Sequence, residues 1–187
     1  MEILGGKAKG VVLKAPPGAL VRPTAVRARR ALFDSLGDLT GKSVCDLFAG
    51  SGALGLESAS RGADRILFVE KAAQSLAAIK SNIRKLERHC PDCKFIPFHG
   101  SIPESADRIA SFPAVDLIFA DPPYAESPEL LDKLLQSPRF AEWATASVMI
   151  WELPEAGFQI RVFPPGWKMQ AIRQFGGTRF LFIARGG

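Results

Sequence analysis

Residues 46–57 read Asp46-Leu47-Phe48-Ala49-Gly50-Ser51-Gly52-Ala53-Leu54-Gly55-Leu56-Glu57. An apolar segment at 43–45 precedes them, and residues 53–61 carry helix-forming residues and no proline. This order predicts a buried strand, a glycine turn and a helix. Glycine lets the backbone approach a ligand closely, and the free N–H groups that begin a helix bind polar or anionic groups. The stretch therefore predicts a cofactor pocket.

Three glycines and a later carboxylate also fit a dinucleotide-binding pattern. Gly50, Gly52 and Gly55 follow the spacing G-x-G-x-x-G, and Glu70 stands 20 residues after Gly50. An NAD-dependent oxidoreductase is therefore one alternative. That alternative gives no role to the segment 121–124 or to the basic N-terminal region.

Length and composition indicate one globular domain. The chain has 187 residues, of which 47% are hydrophobic, and a chain of this length buries roughly 70% of its unfolded surface. No apolar run reaches the roughly 18 residues that span a bilayer, and residues 1–6 lack the apolar core of a signal peptide. We expect a cytoplasmic, soluble monomer with no membrane partner.

Positive charge is concentrated in the N-terminal region. Residues 1–42 contain eight basic and three acidic residues, whereas residues 43–187 contain sixteen of each. A neutral body with a basic extension predicts that the extension contacts a polyanion, most simply a nucleic acid. We therefore expect a basic, RNA-facing extension at 1–42 and a catalytic domain at 43–187.

The order of elements predicts an α/β fold. Residues 2–14 are typical of a small β-ribbon, and Thr24 can cap a helix. From residue 43 onward short apolar strands alternate with helices, which predicts a parallel sheet covered on both faces. Gly176-Gly177 near the end is a two-residue hairpin signal. The predicted strands are 43–48, 65–70, 93–98, 115–121, 147–152, 168–175 and 178–184, and the predicted helices beyond residue 43 are 53–61, 72–88, 103–111 and 127–137.

Four polar segments follow the ends of consecutive predicted strands. They are Asp46 with the glycine turn, then Glu70, then the turn 99–101, and finally the segment 121–124. Ligands of open parallel sheets bind at the carboxyl ends of the strands, so these segments should meet at one edge. A carboxylate that ends the second strand can accept two hydrogen bonds from a ribose diol, which is the role we expect for Glu70.

The segment Asp121-Pro122-Pro123-Tyr124 is the most specific feature of the sequence. Two successive prolines fix φ and remove two donors, so the turn presents carbonyl oxygens without competing N–H groups. The Asp121 carboxylate adds acceptors, and Tyr124 offers a flat face on which a base can stack. Acceptors beside a stacking ring suit an aromatic amine.

The cysteines provide little evidence for a metal site. The run Cys90-Pro91-Asp92-Cys93, with His89 beside it, resembles half of a zinc site, but no second cysteine or histidine pair completes four ligands. An odd number of cysteines also argues against a disulfide framework. We expect no metal, and a reduced, exposed loop at these residues.

Taken together, the motifs resemble a known family. Asp46 to Gly52 and Asp121 to Tyr124 resemble the two signature motifs of class I S-adenosylmethionine-dependent methyltransferases that modify exocyclic amines. Three further segments resemble the bacterial small-subunit (16S) rRNA guanine-N2 methyltransferases, namely Ile3-Leu4-Gly5-Gly6-x-x-x-Gly10, Arg22-Pro23-Thr24-x-x-Arg27-x-Arg29 and Ala53-Leu54-Gly55-Leu56-Glu57-x-x-Ser60-Arg61-Gly62-Ala63. The resemblance implies a Rossmann-like, seven-stranded, mostly parallel sheet with helices on both faces and an antiparallel last strand.

The resemblance also implies roles for individual residues. S-adenosyl-L-methionine would contact Asp46, Phe48, Ala49, Gly50, Ser51, Gly52, Glu70, Lys71, Gly100, Ser101 and Asp121. The target amine would be held by Asp121, Pro122, Pro123 and Tyr124, and RNA would contact Lys7, Lys9, Arg22, Thr24, Arg27, Arg29 and Arg30. Arg30 stands where the family usually has an acid, and His99 where such enzymes often have Asp or Asn against the adenine amine.

The implied activity is methyl transfer to the N2 amine of a guanine in 16S rRNA, within assembled or partly assembled small subunits. Asp121 favours guanine, because a carboxylate can accept the N1 donor beside the amine. An N6-adenine RNA or DNA methyltransferase is an alternative. A non-catalytic RNA-binding or ribosome-assembly protein on the same fold is another.

Overall fold

The computed structural model describes residues 1–16, 23–153, 163–175 and 177–186. Within these ranges, no helix is both long enough and apolar enough to cross a membrane. The helices are α1 (Pro23–Leu36), α2 (Ala53–Ser60), α3 (Ala73–Leu86), α4 (Ala106–Ile109), α5 (Ser127–Leu135) and α6 (Pro138–Trp143). The strands are β1 (Ser43–Asp46), β2 (Arg65–Glu70), β3 (Lys94–His99), β4 (Leu117–Ala120), β5 (Val148–Leu153), β6 (Trp167–Phe175) and β7 (Thr178–Arg185).

The strands form one seven-stranded sheet in the order β3-β2-β1-β4-β5-β7-β6. Strands β1 to β5 pair in parallel. Strand β7 inserts between β5 and β6 and is antiparallel to both. Helical crossovers produce the parallel pairs, whereas the short connection at the end of β6 allows only an antiparallel one. The predicted Rossmann-like sheet with an antiparallel last strand is confirmed.

Helices cover both faces of the sheet, because alternate residues of each strand point to opposite sides. In β2, Ile66 and Phe68 pack with α1, α2 and α3, whereas Leu67 and Val69 pack with α4, α5 and α6. Each strand of this kind is buried on both sides, which explains the nearly continuous apolar runs in the sequence. The face covered by α1, α2 and α3 is called the α1 face below.

The predicted element boundaries hold to within a few residues, with two differences. Helix 103–111 contracts to α4, and α6 was not predicted. Helix α6 begins where Ser137 accepts a hydrogen bond from the Phe140 N–H at 3.2 Å and Pro138 occupies the first turn. A serine followed by proline is a sequence signal for a helix start, so this element was recognisable.

The predicted β-ribbon at 2–14 is present in reduced form. One antiparallel bridge, Glu2 to Val12, joins its two arms, and three backbone hydrogen bonds connect them, namely Ile3 N–H to the Val11 carbonyl, Gly10 N–H to the Ile3 carbonyl and Leu13 N–H to the Met1 carbonyl. Gly6 and Gly10 have φ values of 74° and 86° and turn the chain back on itself. The body of the protein satisfies other backbone groups of the segment, including the N–H groups of Leu4, Ala8 and Lys14, so the ribbon is attached rather than free.

The N-terminal segment is fastened to the end of α2. The Leu4 N–H donates to the buried Glu57 carboxylate at 2.7 Å, and the Lys7 N–H donates to the Ser60 carbonyl at 2.7 Å. Ile3 and Leu13 are buried in the same apolar cluster as the sheet. Residues 1–16 thus share the core formed by the sheet and its helices, and the functional division at residue 42 stays a prediction.

Gly6 and Gly10 provide a stability test of this attachment. A Cβ at Gly6 would lie 1.9 Å from the Ser60 carbonyl oxygen, whereas a Cβ at Gly10 meets nothing within 4 Å. Gly10→Ala should cost roughly 1–2 kcal/mol for the left-handed backbone alone. Gly6→Ala should cost at least about 1–3 kcal/mol more because of the overlap. Denaturant unfolding of both variants measures the difference, and equal losses would contradict the attachment.

Candidate active site

A cavity of about 640 Å³ opens at the carboxyl edge of the parallel strands. All four predicted segments contribute to this edge, since β1, β2, β3 and β4 end there side by side. The cavity wall includes eight of the predicted site residues, which are Phe48, Glu70, Lys71, Gly100, Ser101, Asp121, Pro122 and Pro123. The structure therefore brings these eight residues together at one cavity, although not every predicted residue reaches it.

The glycine turn lies behind the cavity wall. Gly50 and Gly52 have φ values of 54° and 80°, which glycine adopts without strain. Ala49, Ser51 and Gly52 are buried, and Leu47 and Phe48 form the cavity wall at this point. Residues 49–52, which the sequence predicts to contact the cofactor, therefore lie behind the wall and do not line the cavity.

Gly55 sets the distance between α2 and the sheet. A Cβ at this position would lie 2.4 Å from the Phe68 ring and 2.7 Å from the Ile66 side chain. The helix therefore lies closer to β2 than any other residue would permit. This contact accounts for Gly55 as a packing residue, without a dinucleotide ligand.

Asp46 is the most unusual group of the site. Its side chain is 1% exposed, and its Oδ2 accepts a hydrogen bond from the Gly55 N–H at 3.1 Å. Its Oδ1 has no hydrogen-bond partner among the described residues. The pKa of Asp46 is raised to about 7, mainly by burial; the Gly55 hydrogen bond lowers this pKa and the nearby Glu70 carboxylate raises it by smaller amounts. A buried carboxylate oxygen without a partner is a position prepared for a donor or a cation.

Glu70 ends β2 and joins two turns. Its Oε2 accepts from the Gly50 N–H and its Oε1 from the Ala72 N–H, both at 2.7 Å. A carboxylate has about four acceptor positions, so two remain for a ligand. The side chain lines the cavity in an orientation fixed by both hydrogen bonds.

The turn after β3 forms the next part of the wall. A Cβ at Gly100 would lie 2.5 Å from the Phe98 ring and 2.6 Å from Ser105 Oγ, so glycine is needed for close packing there. His99 itself is exposed, and its Nε2 lies 2.9 Å from the Lys71 carbonyl oxygen. His99 therefore links two neighbouring turns and does not line the cavity.

The segment after β4 faces these turns across the cavity. Asp121, Pro122 and Pro123 line it, and Asp121 is exposed to solvent. Tyr124 does not line the cavity, because its hydroxyl donates to Glu152 Oε1 at 2.8 Å. Glu152 thus fixes the position of the tyrosine, a role that the sequence did not reveal.

Residues of the crossovers after β3 and after β4 complete the wall. They were missed in the sequence, although α5 starts three residues after Tyr124 and its first turns must lie near the same edge. Lys133 and Glu129 form an ion pair at 2.6 Å. The additional lining residues include Glu104, Glu126, Glu129, Leu130 and Lys133.

Asn82 of α3 holds the glycine turn from behind. Its Oδ1 accepts from the Lys14 N–H at 2.7 Å. Its Nδ2 donates to the Lys14 carbonyl at 2.9 Å and to the Ser51 carbonyl at 3.0 Å. The side chain is fully buried. One residue therefore ties the N-terminal segment to the turn, and a lone asparagine within a helical pattern was the only sequence signal for it.

The basic residues of the N-terminal region do not all face solvent. Lys7, Lys9, Arg27 and Arg30 are exposed. Arg29 is 8% exposed and its guanidinium donates to the Glu2 carbonyl at 2.7 Å, with burial lowering its pKa. The expectation that Arg29 contacts RNA is therefore withdrawn. Of the other predicted contacts, Arg22 and the side chain of Thr24 lie outside the described residues.

The cysteine loop differs from the prediction in its exposure. Cys90 is buried, with its Sγ 3.5 Å from the Ala59 carbonyl oxygen, and Cys93 is half-buried. Burial raises the pKa of both thiols, that of Cys93 to about 12. Among the described residues, no group of three or more His, Cys, Asp or Glu side chains is arranged to hold a metal ion.

The sheet order, the antiparallel β7 and the cavity at the carboxyl edge define the class I methyltransferase fold. An Escherichia coli structure provisionally titled methyltransferase yhhF has this fold, with a TM-score of 0.74 over 99% of this chain and 97% of its own at 22% identity. Residues 1–184 match the family described as conserved hypothetical protein 95, and the chain belongs to this family.

Named relatives of the chain come from several bacteria. YlbH of Bacillus subtilis, provisionally named an rRNA methyltransferase, is 35% identical over 129 residues, which are 67% of this chain and 68% of YlbH. Ribosomal RNA small subunit methyltransferase D of Escherichia coli is 26% identical over 194 residues, covering 99% of this chain and 90% of that protein.

Asn82→Ala tests how much the buried amide contributes. The variant leaves the Lys14 backbone groups and the Ser51 carbonyl without their partner, so the free energy of unfolding should fall by about 2–4 kcal/mol. Gln74→Ala, at an exposed position of the same helix, should change it by no more than about 0.5 kcal/mol. Similar losses of unfolding free energy in the two variants would contradict the role of the Asn82 amide in holding the N-terminal segment to the glycine turn.

Asp46→Asn tests the buried carboxylate through pH. The folded protein holds a proton on Asp46 up to about pH 7, whereas the unfolded chain releases it near pH 4. The stability from this group is therefore complete below about pH 4 and is lost as pH rises through 7. Between pH 4 and pH 8 the variant should gain up to about 4 kcal/mol relative to wild type. Denaturant unfolding at several pH values measures this difference, and a pH-independent difference would refute it.

Proposed function

We propose that the chain transfers a methyl group from S-adenosyl-L-methionine to the exocyclic N2 amine of a guanine in small-subunit (16S) ribosomal RNA. The observation that carries the proposal is that Asp121, Pro122 and Pro123 line the same cavity as Phe48 and Glu70. Acceptors for an amine thus lie opposite the glycine turn and the ribose-type carboxylate. The names of the relatives support the assignment to rRNA methylation.

The residues present fit S-adenosylmethionine. The unpartnered Oδ1 of Asp46 is suited to the cationic methionine end, and the glycine turn follows Asp46 directly in the chain. Glu70 retains two acceptor positions for a ribose diol. The turn at Gly100 and Ser101, with Lys71, forms the remaining wall, which suits the adenine ring. When bound, the cofactor supplies an activated methyl group on a sulfonium.

The chain's own residues position the acceptor. A guanine amine is a weak nucleophile, because its lone pair is delocalised into the ring. The Asp121 carboxylate and the Pro122 carbonyl would accept its two N–H bonds and hold the nitrogen toward the methyl group. Such positioning supplies roughly 7–11 kcal/mol of the barrier. Tyr124, held by Glu152 at 2.8 Å, would provide the stacking face for a base that has left its own stack.

The choice of guanine rests on the hydrogen-bond acceptors of the segment 121–124. Guanine presents an N1 donor beside its amine, which a second carboxylate oxygen can accept, whereas adenine presents an acceptor at the equivalent position. An amide at 121 would serve adenine better. N6-adenine methylation is therefore the alternative that the product analysis below must exclude.

The exposed cations of the N-terminal region are the proposed RNA contacts. Lys7, Lys9, Arg27 and Arg30 are exposed, and cations of this kind neutralise phosphates without reading sequence. So small a surface cannot read a complex RNA alone, which favours an assembled or partly assembled small subunit as substrate. A monomeric enzyme acting there would work in the cytoplasm.

Methyl transfer from labelled S-adenosylmethionine to unmodified small subunits tests the proposal. Digestion of the RNA should yield the label in N2-methylguanosine, and naked 16S rRNA should be the poorer substrate. Label in adenosine would support the alternative and exclude guanine. Absence of transfer by a protein that binds the cofactor would instead indicate a non-catalytic RNA-binding protein.

Asp121→Ala separates catalysis from cofactor binding. Removal of one preorganised acceptor should lower kcat by about 10²–10³-fold, while the Kd for S-adenosylhomocysteine stays within about threefold, because the contacts of Asp46 and Glu70 are retained. Glu142→Ala, at an exposed position of α6, should match wild type in both measurements. An Asp121→Ala enzyme that turns over at near wild-type rate would remove Asp121 from this role.

A further inference from the structure

The final hairpin carries only positive charge. No aspartate or glutamate occurs between residues 163 and 186, which contain Lys168, Arg173, Arg179 and Arg185. Residues 43–187 as a whole contain equal numbers of basic and acidic residues, because the acidic residues lie outside this hairpin. A second basic region is therefore present outside the N-terminal extension.

Two of these cations are available to a partner. Lys168 and Arg173 are exposed on β6, the edge strand of the sheet. Neither forms an ion pair with any residue that the structure describes. Arg185, in contrast, stacks on the Trp167 ring at 5.4 Å and donates to the Pro165 carbonyl at 3.2 Å. We call Lys168 and Arg173 the hairpin surface.

Strand register places the hairpin surface on the α1 face. Arg173 pairs with Phe180 and Lys168 with Ala184, and Phe180 belongs to the apolar cluster under α1. Paired residues of antiparallel strands project to the same side. The guanidinium of Arg173 lies 4.9 Å from the centroid of the Phe182 ring, which restricts its orientation.

The same register connects Arg173 to the proposed catalytic loop. Phe180 pairs with Glu152 on its other side, so Arg173, Phe180 and Glu152 form one row across β6, β7 and β5. Two interstrand spacings amount to roughly 10 Å. Glu152 accepts the Tyr124 hydroxyl at 2.8 Å. Arg173 therefore lies about 10 Å along the sheet from the carboxylate that positions the proposed base platform.

Helix α1 carries part of the N-terminal positive charge and packs beside the last hairpin. It packs against both β6 and β7, and it carries exposed Arg27 and Arg30. Helix α1, with its exposed cations, therefore lies on the same face as the hairpin surface, although the two are far apart in the sequence.

We propose that the hairpin surface binds the phosphate backbone of the RNA strand next to the target base. The proposal rests on the proposed function, which places that base at Asp121. Phosphates follow each other along the strand at a spacing of several ångströms, so a strand leaving the cavity past Tyr124 reaches Arg173 after about two nucleotides. Arg173 neutralises the phosphate nearer the cavity. Lys168 pairs with Ala184, which pairs with Val148 at the start of β5, so Lys168 lies toward the opposite edge of the sheet and neutralises a phosphate further along the strand. Both contacts position the strand without reading its sequence.

The test compares two charge-matched double variants. Lys168→Gln/Arg173→Gln removes the hairpin surface, and Lys80→Gln/Arg84→Gln removes two exposed cations from α3, which packs against β2 and β3. The readouts are KM and kcat for small subunits and the salt dependence of RNA binding. The hairpin variant should raise KM about tenfold or more, leave kcat unchanged, and reduce the slope of log K against log[salt] by roughly 1.4–1.8. The α3 variant should match wild type.

The outcomes separate this proposal from the proposed function. If the hairpin variant methylates guanine with wild-type kinetics and a wild-type salt slope, only the proposed role of the hairpin surface is overturned. A wild-type protein that neither binds nor methylates small subunits would overturn both. If the hairpin variant binds assembled subunits more weakly than wild type but binds naked 16S rRNA equally well, the hairpin surface contacts a ribosomal protein and the RNA contact is refuted. Two single variants keep the test valid if the double variant does not fold. Lys168→Gln alone should give about half of the change in salt slope, and Arg173→Lys, which keeps the charge, should give no change.

Discussion

The hydrogen bond from the Gly55 N–H to the buried Asp46 carboxylate fixes the geometry on which the site depends. It joins the end of β1 to the first turn of α2 at 3.1 Å, and it forms because α2 lies against Phe68 with no side chain between them. The glycine turn lies between Asp46 and Gly55, so this hydrogen bond closes it. Asp46 then keeps one oxygen buried and without a partner among the described residues, at a cost in stability that a ligand would relieve.

Sequence patterns predicted the elements that depend on local chemistry. The predicted bounds of β2 agree with the structure, the last strand is antiparallel, and the four polar segments meet at the carboxyl edge. Periodicity and turn residues determine these features, and the parallel order of strands then determines where their ends meet.

Features that depend on tertiary contacts were not predictable in this way. The 2–14 segment is attached to the body where Gly6 packs on the Ser60 carbonyl, more than 50 residues later in the chain. Arg29 is buried through its contact with Glu2. Similarly, the charge of the last hairpin becomes meaningful only once β6 is seen beside α1, since a count along the chain cannot show which cations are neighbours.

The central claim is that the carboxyl edge binds an S-adenosyl compound rather than a dinucleotide. Calorimetric titration of the purified protein with S-adenosylhomocysteine and, separately, with NAD tests it most directly. We expect one S-adenosylhomocysteine per chain, at least about tenfold weaker binding in Glu70→Gln because a charged hydrogen-bond acceptor is lost, and no heat from NAD. Binding of NAD in competition with S-adenosylhomocysteine, or equal affinity in wild type and Glu70→Gln, would contradict the claim.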